Sequence, residues 1–274
     1  MVSQEQRRRQ LAREKFLRQQ QRRTSARRKA RMRNSVIASV LGVIVIGSIA
    51  LYTTGVLKKS NDGKANASAQ VTPTASATSK APDPCAKPAP GSVKKLSWKK
   101  EPAMTIDKSA AYTMKLATTC GDIDIAMKAA AAPHTVNSFN FLAGQGFFDH
   151  TKCHRLTTSG IYVLQCGDPT GTGSGGPGYT IPDENLKDKS LKNNVYPAGT
   201  VAMANTGQPH TGGSQFFLVY QDSQLPPSYT PFGTMDAAGL KVVKKIAAAG
   251  DSTGSGDGAP NATVVINKAT VTKS

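Results

Sequence analysis

Gly171-Thr-Gly-Ser-Gly-Gly-Pro-Gly-Tyr179 decides between two folds. It contains a literal G-x-G-x-x-G at Gly173, Gly175 and Gly178, directly behind the strand-like run Ile161-Tyr-Val-Leu-Gln-Cys166. A dinucleotide-binding loop needs those glycines to open a helix whose N-terminus faces a pyrophosphate, with an acidic residue about twenty positions later at the end of the next strand. Here Pro177 interrupts the motif, and Tyr179-Thr-Ile-Pro-Asp-Glu-Asn185 follows with a second proline and no helical face. The fingerprint fails its context, and a doubly wound parallel sheet loses its best support.

The surrounding periodicities favour another architecture. Tyr112 to Ala117 and Asp122 to Met127 alternate apolar with polar across a turn-like Thr-Thr-Cys-Gly, which is a hairpin pattern. Ala132 to Ala143 places Val136, Phe139 and Leu142 on one helical face, stopped by Gly144 and Gly146. Short strands are expected at 153–156, 161–166, 199–204, 215–220 and 264–271, and a second helix over 239–249 carries Leu240, Val243 and Ile246. Many short strands with two helices argue for a mainly β protein, a closed antiparallel barrel with helical caps.

The N-terminal third has a different composition. Residues 1–34 hold thirteen Lys or Arg against two Glu, so +11 of the formal net charge of +18 sits in this arm. Clustered cations can bind nucleic acid through counterion release. The next segment explains them better: 34–57 carries no charged residue, and 35–57 is long enough to cross a ~30 Å hydrocarbon layer as one helix. The positive-inside rule then puts the arm in the cytoplasm and everything after Leu57 outside it. A cleaved signal peptide is the competing reading, with Ala65-Asn-Ala67 as the cleavage site. That site lies beyond Lys58 and Lys59, and the apolar run exceeds a usual signal core. Residues 58–103 are rich in Ala, Ser, Thr, Lys and Pro and read as a disordered extracytoplasmic tether, which leaves 104–274 as the folded domain.

Four cysteines, at 85, 120, 153 and 166, fall on the outer side, where disulfides persist. Cys153 and Cys166 lie on strand-like runs joined by a short connection and can bridge, leaving Cys85 for Cys120. Four free thiols are the alternative. A zinc site from His150, Cys153, His154 and Cys166 is disfavoured because neighbours 153 and 154 on a strand point to opposite faces. No nucleophile elbow surrounds Ser214, and no carboxylate pair stands out.

Five stretches carry a specific likeness: Cys153-His-Arg-Leu156, Leu164-Gln-Cys-Gly-Asp-Pro-Thr-Gly-Thr-Gly-Ser-Gly-Gly-Pro-Gly-Tyr179, Gly199-Thr-Val-Ala-Met-Ala-Asn205, Gly213-Ser-Gln-Phe-Phe-Leu218 and Tyr229-Thr-Pro-Phe-Gly233. In this order, over 112–271, they resemble the signatures of a cyclophilin-type peptidyl-prolyl cis-trans isomerase. With the anchor and tether, the layout is similar to membrane-anchored cyclophilins of actinobacteria. The resemblance implies an eight-stranded antiparallel barrel closed by two helices, and an isomerase for X-Pro bonds that uses no cofactor and no metal. Its expected partners are proline-containing peptides and unfolded exported proteins, with membrane contact through 35–57 and no nucleic acid. Arg155 would be the catalytic donor and Gln165 its support. Tyr162, Val163, Phe217 and Leu225 would form the proline socket with Tyr229 at its rim, and Phe232 is a candidate for its floor. Phe216 would face the core. Asn205, flanked by Ala204 and Thr206, would offer its backbone to the residue before proline. The glycine run then reads as one wall of a peptide groove.

The chain departs from the family pattern at several points. Two extra residues lie between Arg155 and Gln165, within 157–161, so the placement of Tyr162 depends on counting back from Gln165. The segment 205–213 is one residue longer. Gln224 stands where many members have tryptophan, which should weaken cyclosporin binding, and Tyr229 stands where they have histidine, keeping a flat face and a polar tip. A proline-peptide binding or chaperone module with little turnover is the competing function, and a membrane scaffold acting through its basic arm is a third.

Overall fold

Strict alternation builds the first hairpin of the computed structural model, which describes residues 83–274. Strands β1 (Tyr112–Thr118) and β2 (Gly121–Met127) pair antiparallel. They turn Met114, Leu116, Ile123 and Ile125 to the interior, where all four are essentially fully buried. The third strand in the chain, β3 (Thr151–Lys152), is followed by β4 (Arg155–Thr157), β5 (Val163–Cys166), β6 (Val195–Tyr196), β7 (Thr200–Met203), β8 (Phe216–Val219), β9 (Ser223–Gln224), β10 (Pro231–Met235), β11 (Asp257–Gly258) and β12 (Val265–Lys273). Ten of them form one sheet in the order β11-β4-β5-β8-β7-β10-β2-β1-β12-β3, and β6 and β9 form a separate ribbon. Every pairing is antiparallel.

The expected mainly β, antiparallel, two-helix architecture is present, but not as an eight-stranded ladder closed on itself. The sheet is open in its pairing order and curls instead. Strand β3 at one end and β4 beside the other are consecutive in the chain, separated only by Cys153 and His154. The Cys153 N–H donates to Val264 O (3.0 Å) and the His154 N–H to Gln165 O (3.0 Å), so this link is bonded to both ends of the sheet.

Helix α1 (Pro133–Gly144) starts with proline at its first turn, where a missing N–H costs nothing. The N–H groups of His134 and Thr135 instead donate to the Glu184 carboxylate (3.0 and 2.9 Å), a negative partner for the positive end of the helix. Val136, Phe139 and Leu142 are fully buried, and Phe139 stacks near Phe148, Phe216 and Phe232 at centroid distances of 5.2, 5.5 and 4.6 Å. Helix α2 (Ala237–Ala248) is capped by Asp236, whose carboxylate accepts the Gly239 N–H at 2.7 Å, and it buries Val243 and Ile246.

The tether expectation fails over its last part. From 83 to 103 the chain lies against the sheet and α1 rather than trailing free. Cys85 is bonded to Cys120, the Ala86 N–H donates to Thr119 O (2.8 Å), and the Ala89 N–H donates to Asn267 Oδ1 (3.0 Å). The Trp98 ring meets Phe141 edge-on at 5.1 Å, and its backbone N–H donates to Pro177 O (2.8 Å). One disulfide, one aromatic anchor and a few backbone bonds substitute for the missing apolar side chains. Both cysteine pairs are bridged, which removes the free-thiol and zinc alternatives. The arm, the expected span and 58–82 lie outside the described residues. Among the described residues no helix is long and apolar enough to cross a membrane.

Trp98→Ala should therefore destabilise the folded domain by about 2 kcal/mol, less than a fully buried aromatic, and lower its Tm by roughly 4–8 °C in calorimetry. A free tether would leave Tm unchanged.

Candidate active-site groove

Three adjacent strands place the key side chains in one row. Arg155 on β4 stands opposite Gln165 on β5, and Gln165 stands opposite Phe217 on β8. Both faces of β5 and β8 are used. Leu164, Cys166, Phe216 and Leu218 turn into the main core, while Val163, Phe217 and Val219 turn to a second apolar cluster with Tyr196, Ala202 and Leu225. Tyr229 closes that cluster, its ring edge-on to Phe217 at 5.4 Å and its carbonyl accepting the Tyr196 hydroxyl at 2.8 Å.

A cavity of about 170 Å³ opens over this second cluster. Arg155, Gln165, Val163, Phe217, Leu225 and Tyr229 line it, with Ala204 and Asn205 at one side. These eight expected site residues come together. Two others do not fall in it. Thr206 lines the adjoining groove. Tyr162 faces the other side of its strand, where its ring meets Tyr220 edge-on at 5.9 Å. Side chains alternate along a strand, so Ile161, Val163 and Gln165 share the groove face, and Ile161 takes the place assigned to Tyr162. Phe232 is also corrected: it is fully buried against Phe139 in the main core and does not line the cavity, while Phe216 faces that core as expected.

The adjoining groove, about 650 Å³, shares Gln165, Ala204 and Asn205 with the cavity as lining residues. One wall is 173–180, the glycine run. Its shape comes from a buried carboxylate: Asp168 accepts the N–H groups of Thr170 (2.7 Å), Thr172 (3.0 Å) and Gly173 (2.6 Å) and the Thr170 hydroxyl (2.7 Å). A Cβ on Gly175 would lie 2.0 Å from Asp168 Oδ1, and one on Gly178 (φ +90°) would lie 2.6 Å from the Trp98 carbonyl. Glycine is required at both positions by close packing, not by a phosphate. The opposite wall, 204–206, is pinned by the Asn205 side chain, which donates to Ser228 O (2.8 Å) and accepts the Gly207 N–H (3.0 Å).

Polar side chains connect the two spaces. Gln165 Oε1 accepts from Arg155 Nη1 at 3.3 Å, and its Nε2 donates to Gln215 Oε1 at 2.9 Å. Gln215 Nε2 then donates to Gly175 O at 2.9 Å. On its other edge Arg155 donates through Nε and Nη2 to the two Asp257 oxygens, each at 2.7 Å. That carboxylate raises the guanidinium's affinity for its proton, against the opposing effect of burial. Ile161, Gln215 and Asp257 were absent from the sequence expectations. Alternation from Gln165 would have found Ile161; no local signal marks Asp257.

A curled antiparallel sheet with two helices, carrying an arginine at the mouth of an apolar cavity beside a glycine-walled groove, is the architecture of the cyclophilin class. A family model described as cyclophilin type peptidyl-prolyl cis-trans isomerase/CLD matches residues 113–271, and the chain belongs to that family. It is 52% identical over 165 residues to the probable peptidyl-prolyl cis-trans isomerase B of Mycobacterium leprae, covering 57% of this chain and 56% of the relative. It is 39% identical over 125 residues to peptidyl-prolyl cis-trans isomerase B of Bacillus subtilis, covering 45% and 82%. The chain spans about half the length of the mycobacterial relatives it matches. A crystal structure of a Cryptosporidium parvum cyclophilin type peptidyl-prolyl cis-trans isomerase superposes with a TM-score of 0.50 at 25% identity, over 60% of this chain and 99% of that one.

The Asp168 carboxylate gives a pH test. Burial pushes its pKa up, but the Thr170 hydroxyl and the N–H groups of Thr170, Gly175 and Gly173 outweigh it and hold the folded value at about 2, below the ordinary 3.8. A depressed carboxyl contributes stability above its unfolded pKa and loses it as pH falls through the folded one. The stability gap between wild type and Asp168→Asn should be about 1–3 kcal/mol at neutral pH and should shrink between about pH 4 and pH 2 in denaturant titrations. A gap independent of pH would contradict this origin.

Proposed function

We propose that the domain catalyses cis-trans isomerisation of X-Pro bonds in exported or cell-surface proteins, and that 35–57 anchors it in the cytoplasmic membrane with the N-terminus inside. The observation that carries the enzymatic part is a guanidinium held at the mouth of an apolar cavity, in register with Gln165 and Phe217. The topological part rests on the charge-free stretch 34–57 and the thirteen basic residues before it. Two disulfides in the described chain suit an oxidising compartment.

The reaction needs no nucleophile. The barrier, ~18–20 kcal/mol, is the loss of amide resonance on rotation, and uncatalysed exchange takes tens to hundreds of seconds. As the bond twists, the prolyl nitrogen becomes pyramidal and gains a lone pair that neither planar isomer has. In the proposed complex the ring sits against Phe217, Val163, Ile161 and Leu225, and the preceding residues run along 204–206 opposite the glycine wall. Arginine has five N–H donors. Two go to Asp257 and one to Gln165, which leaves one on each Nη for substrate. A donor that meets the nitrogen only in the twisted state lowers the barrier without strengthening ground-state binding. A binding module with little turnover would have no use for such a donor, which favours the isomerase over that alternative.

The full chain should accelerate exchange of a short X-Pro peptide measured by NMR, and Arg155→Ala should lower kcat/KM by roughly 10²–10³-fold. An inactive wild type, or an unaffected variant, would sink the mechanism. Protease added to intact cells should release the domain; full protection would refute the orientation.

A further inference from the structure

Residues 157–160 and the loop 251–258 line neither the cavity nor the adjoining groove, and they meet each other beside Arg155. Asp257 pairs with Thr157 and Gly258 with Leu156, so β11 extends the sheet by one short strand next to β4. The Thr158 N–H donates to Gly256 O at 2.9 Å, and its hydroxyl donates to Asp251 Oδ2 at 3.0 Å. Asp251 in turn accepts the Thr253 N–H and hydroxyl, and Ser252 N–H donates to Ala259 O at 2.7 Å. Gly256 has φ +93°, and a Cβ there would lie 2.5 Å from the Ser159 Cβ. The two segments are thus interlocked, and the residue they deliver is Asp257.

We propose that Asp257 is a positioning residue, held by the 157–161 and 251–258 clamp, which fixes the Arg155 guanidinium in the orientation that the isomerisation proposed above requires; the inference rests on that reading. Asp257 does not line the cavity, whereas Arg155 does, so it acts through the arginine. A carboxylate that accepts from both Nε and Nη2 fixes the plane of the guanidinium as well as its place, which a single bond from Gln165 cannot do. The Nε/Nη2 edge is thereby occupied, and the remaining Nη donors are turned to the other side. The pair is too exposed to be a stability device: the side chains are 39% and 55% accessible, and ion pairs in that range contribute little to folding. Orientation is what the arrangement can supply.

The test compares wild type, Asp257→Ala, Asp257→Asn and Thr158→Val as full chains, with Asp107→Asn, which breaks an ion pair to Lys273, as control. Rates on an X-Pro peptide, peptide affinity, Tm and the Arg155 Nε–H resonance are measured. Asp257→Ala should lower kcat/KM about tenfold or more, mostly in kcat. KM and Tm should stay close to wild type, and the Nε–H should lose its protection from exchange. Asp257→Asn keeps one acceptor and should retain more activity; Thr158→Val loosens the clamp and should lose less than Asp257→Ala, in the same direction. The control should match wild type. A kcat/KM within about twofold of wild type in Asp257→Ala, or a loss matched by unfolding with the Nε–H unchanged, overturns the positioning role. Activity in wild type that vanishes in Arg155→Ala but survives in Asp257→Ala refutes this role alone, whereas an inactive wild type refutes the isomerase reading and this role together.

Discussion

The register of β4, β5 and β8 is the constraint on which the site depends. Side chains alternate with period two, so a slip of one residue would turn Arg155, Gln165 and Phe217 away from the groove together. The opposite face forbids that slip. Leu156, Leu164, Phe216 and Leu218 are fully buried there, and burial of each such side chain is worth about 1.5–3 kcal/mol. The disulfide between Cys153 and Cys166 ties the start of this register covalently. The core that makes the domain stable is thus also what sets the register of the polar row.

The second face of β5 and β8 makes the arrangement unusual for an antiparallel sheet. Such a sheet commonly has one face packed and one wet. Here the outer face carries its own small apolar cluster, roofed by Tyr196 and Tyr229 but left open at the cavity. An incomplete second core invites an apolar ring to finish it. The glycine run limits what else can approach: its path is set by Asp168 on one side and by Ser97 and Trp98 on the other. The segment before the sheet therefore shapes the groove wall, which a free tether could not do.

Where local period and packing agree, the elements were legible. The first hairpin, α1 with Val136, Phe139 and Leu142, α2 and the long β12 all fall close to their expected positions. Strand β10 is absent from the expected strands, and its Pro231 and Gly233 are residues that argue against a central strand. It is tolerated because Pro231 stands at the strand's first position and Gly233 lets Ile125 approach where a Cβ would lie 2.6 Å from it. The tether was overextended because composition averages over a segment, and the chain's single tryptophan, Trp98, was the signal against it. Tyr162 was placed by counting back from Gln165 along the family pattern, although alternation from Gln165 points to Ile161. Asp257 lies 102 residues from Arg155 in a Gly- and Ser-rich turn, and only tertiary structure joins them.

The proposed isomerisation has no covalent intermediate to correct a misplaced group, so in that reading the Arg155 donor must already be in place when the amide twists. A free arginine side chain carries about 2 kcal/mol of rotamer entropy, and ordering it during the reaction would add that cost to the barrier. Bonds to Asp257 and Gln165 move the ordering into folding, where the sheet has already fixed β4 against β5 and β11. The neighbouring carboxylate also offsets part of the guanidinium's charge, which weakens its pull on any anion. An amide nitrogen's developing lone pair is neutral and directional, so it loses little by that reduction and gains from the fixed direction. Among charged side chains, the combination of a planar cation and a carboxylate holding its far edge suits a reaction in which no net charge is transferred.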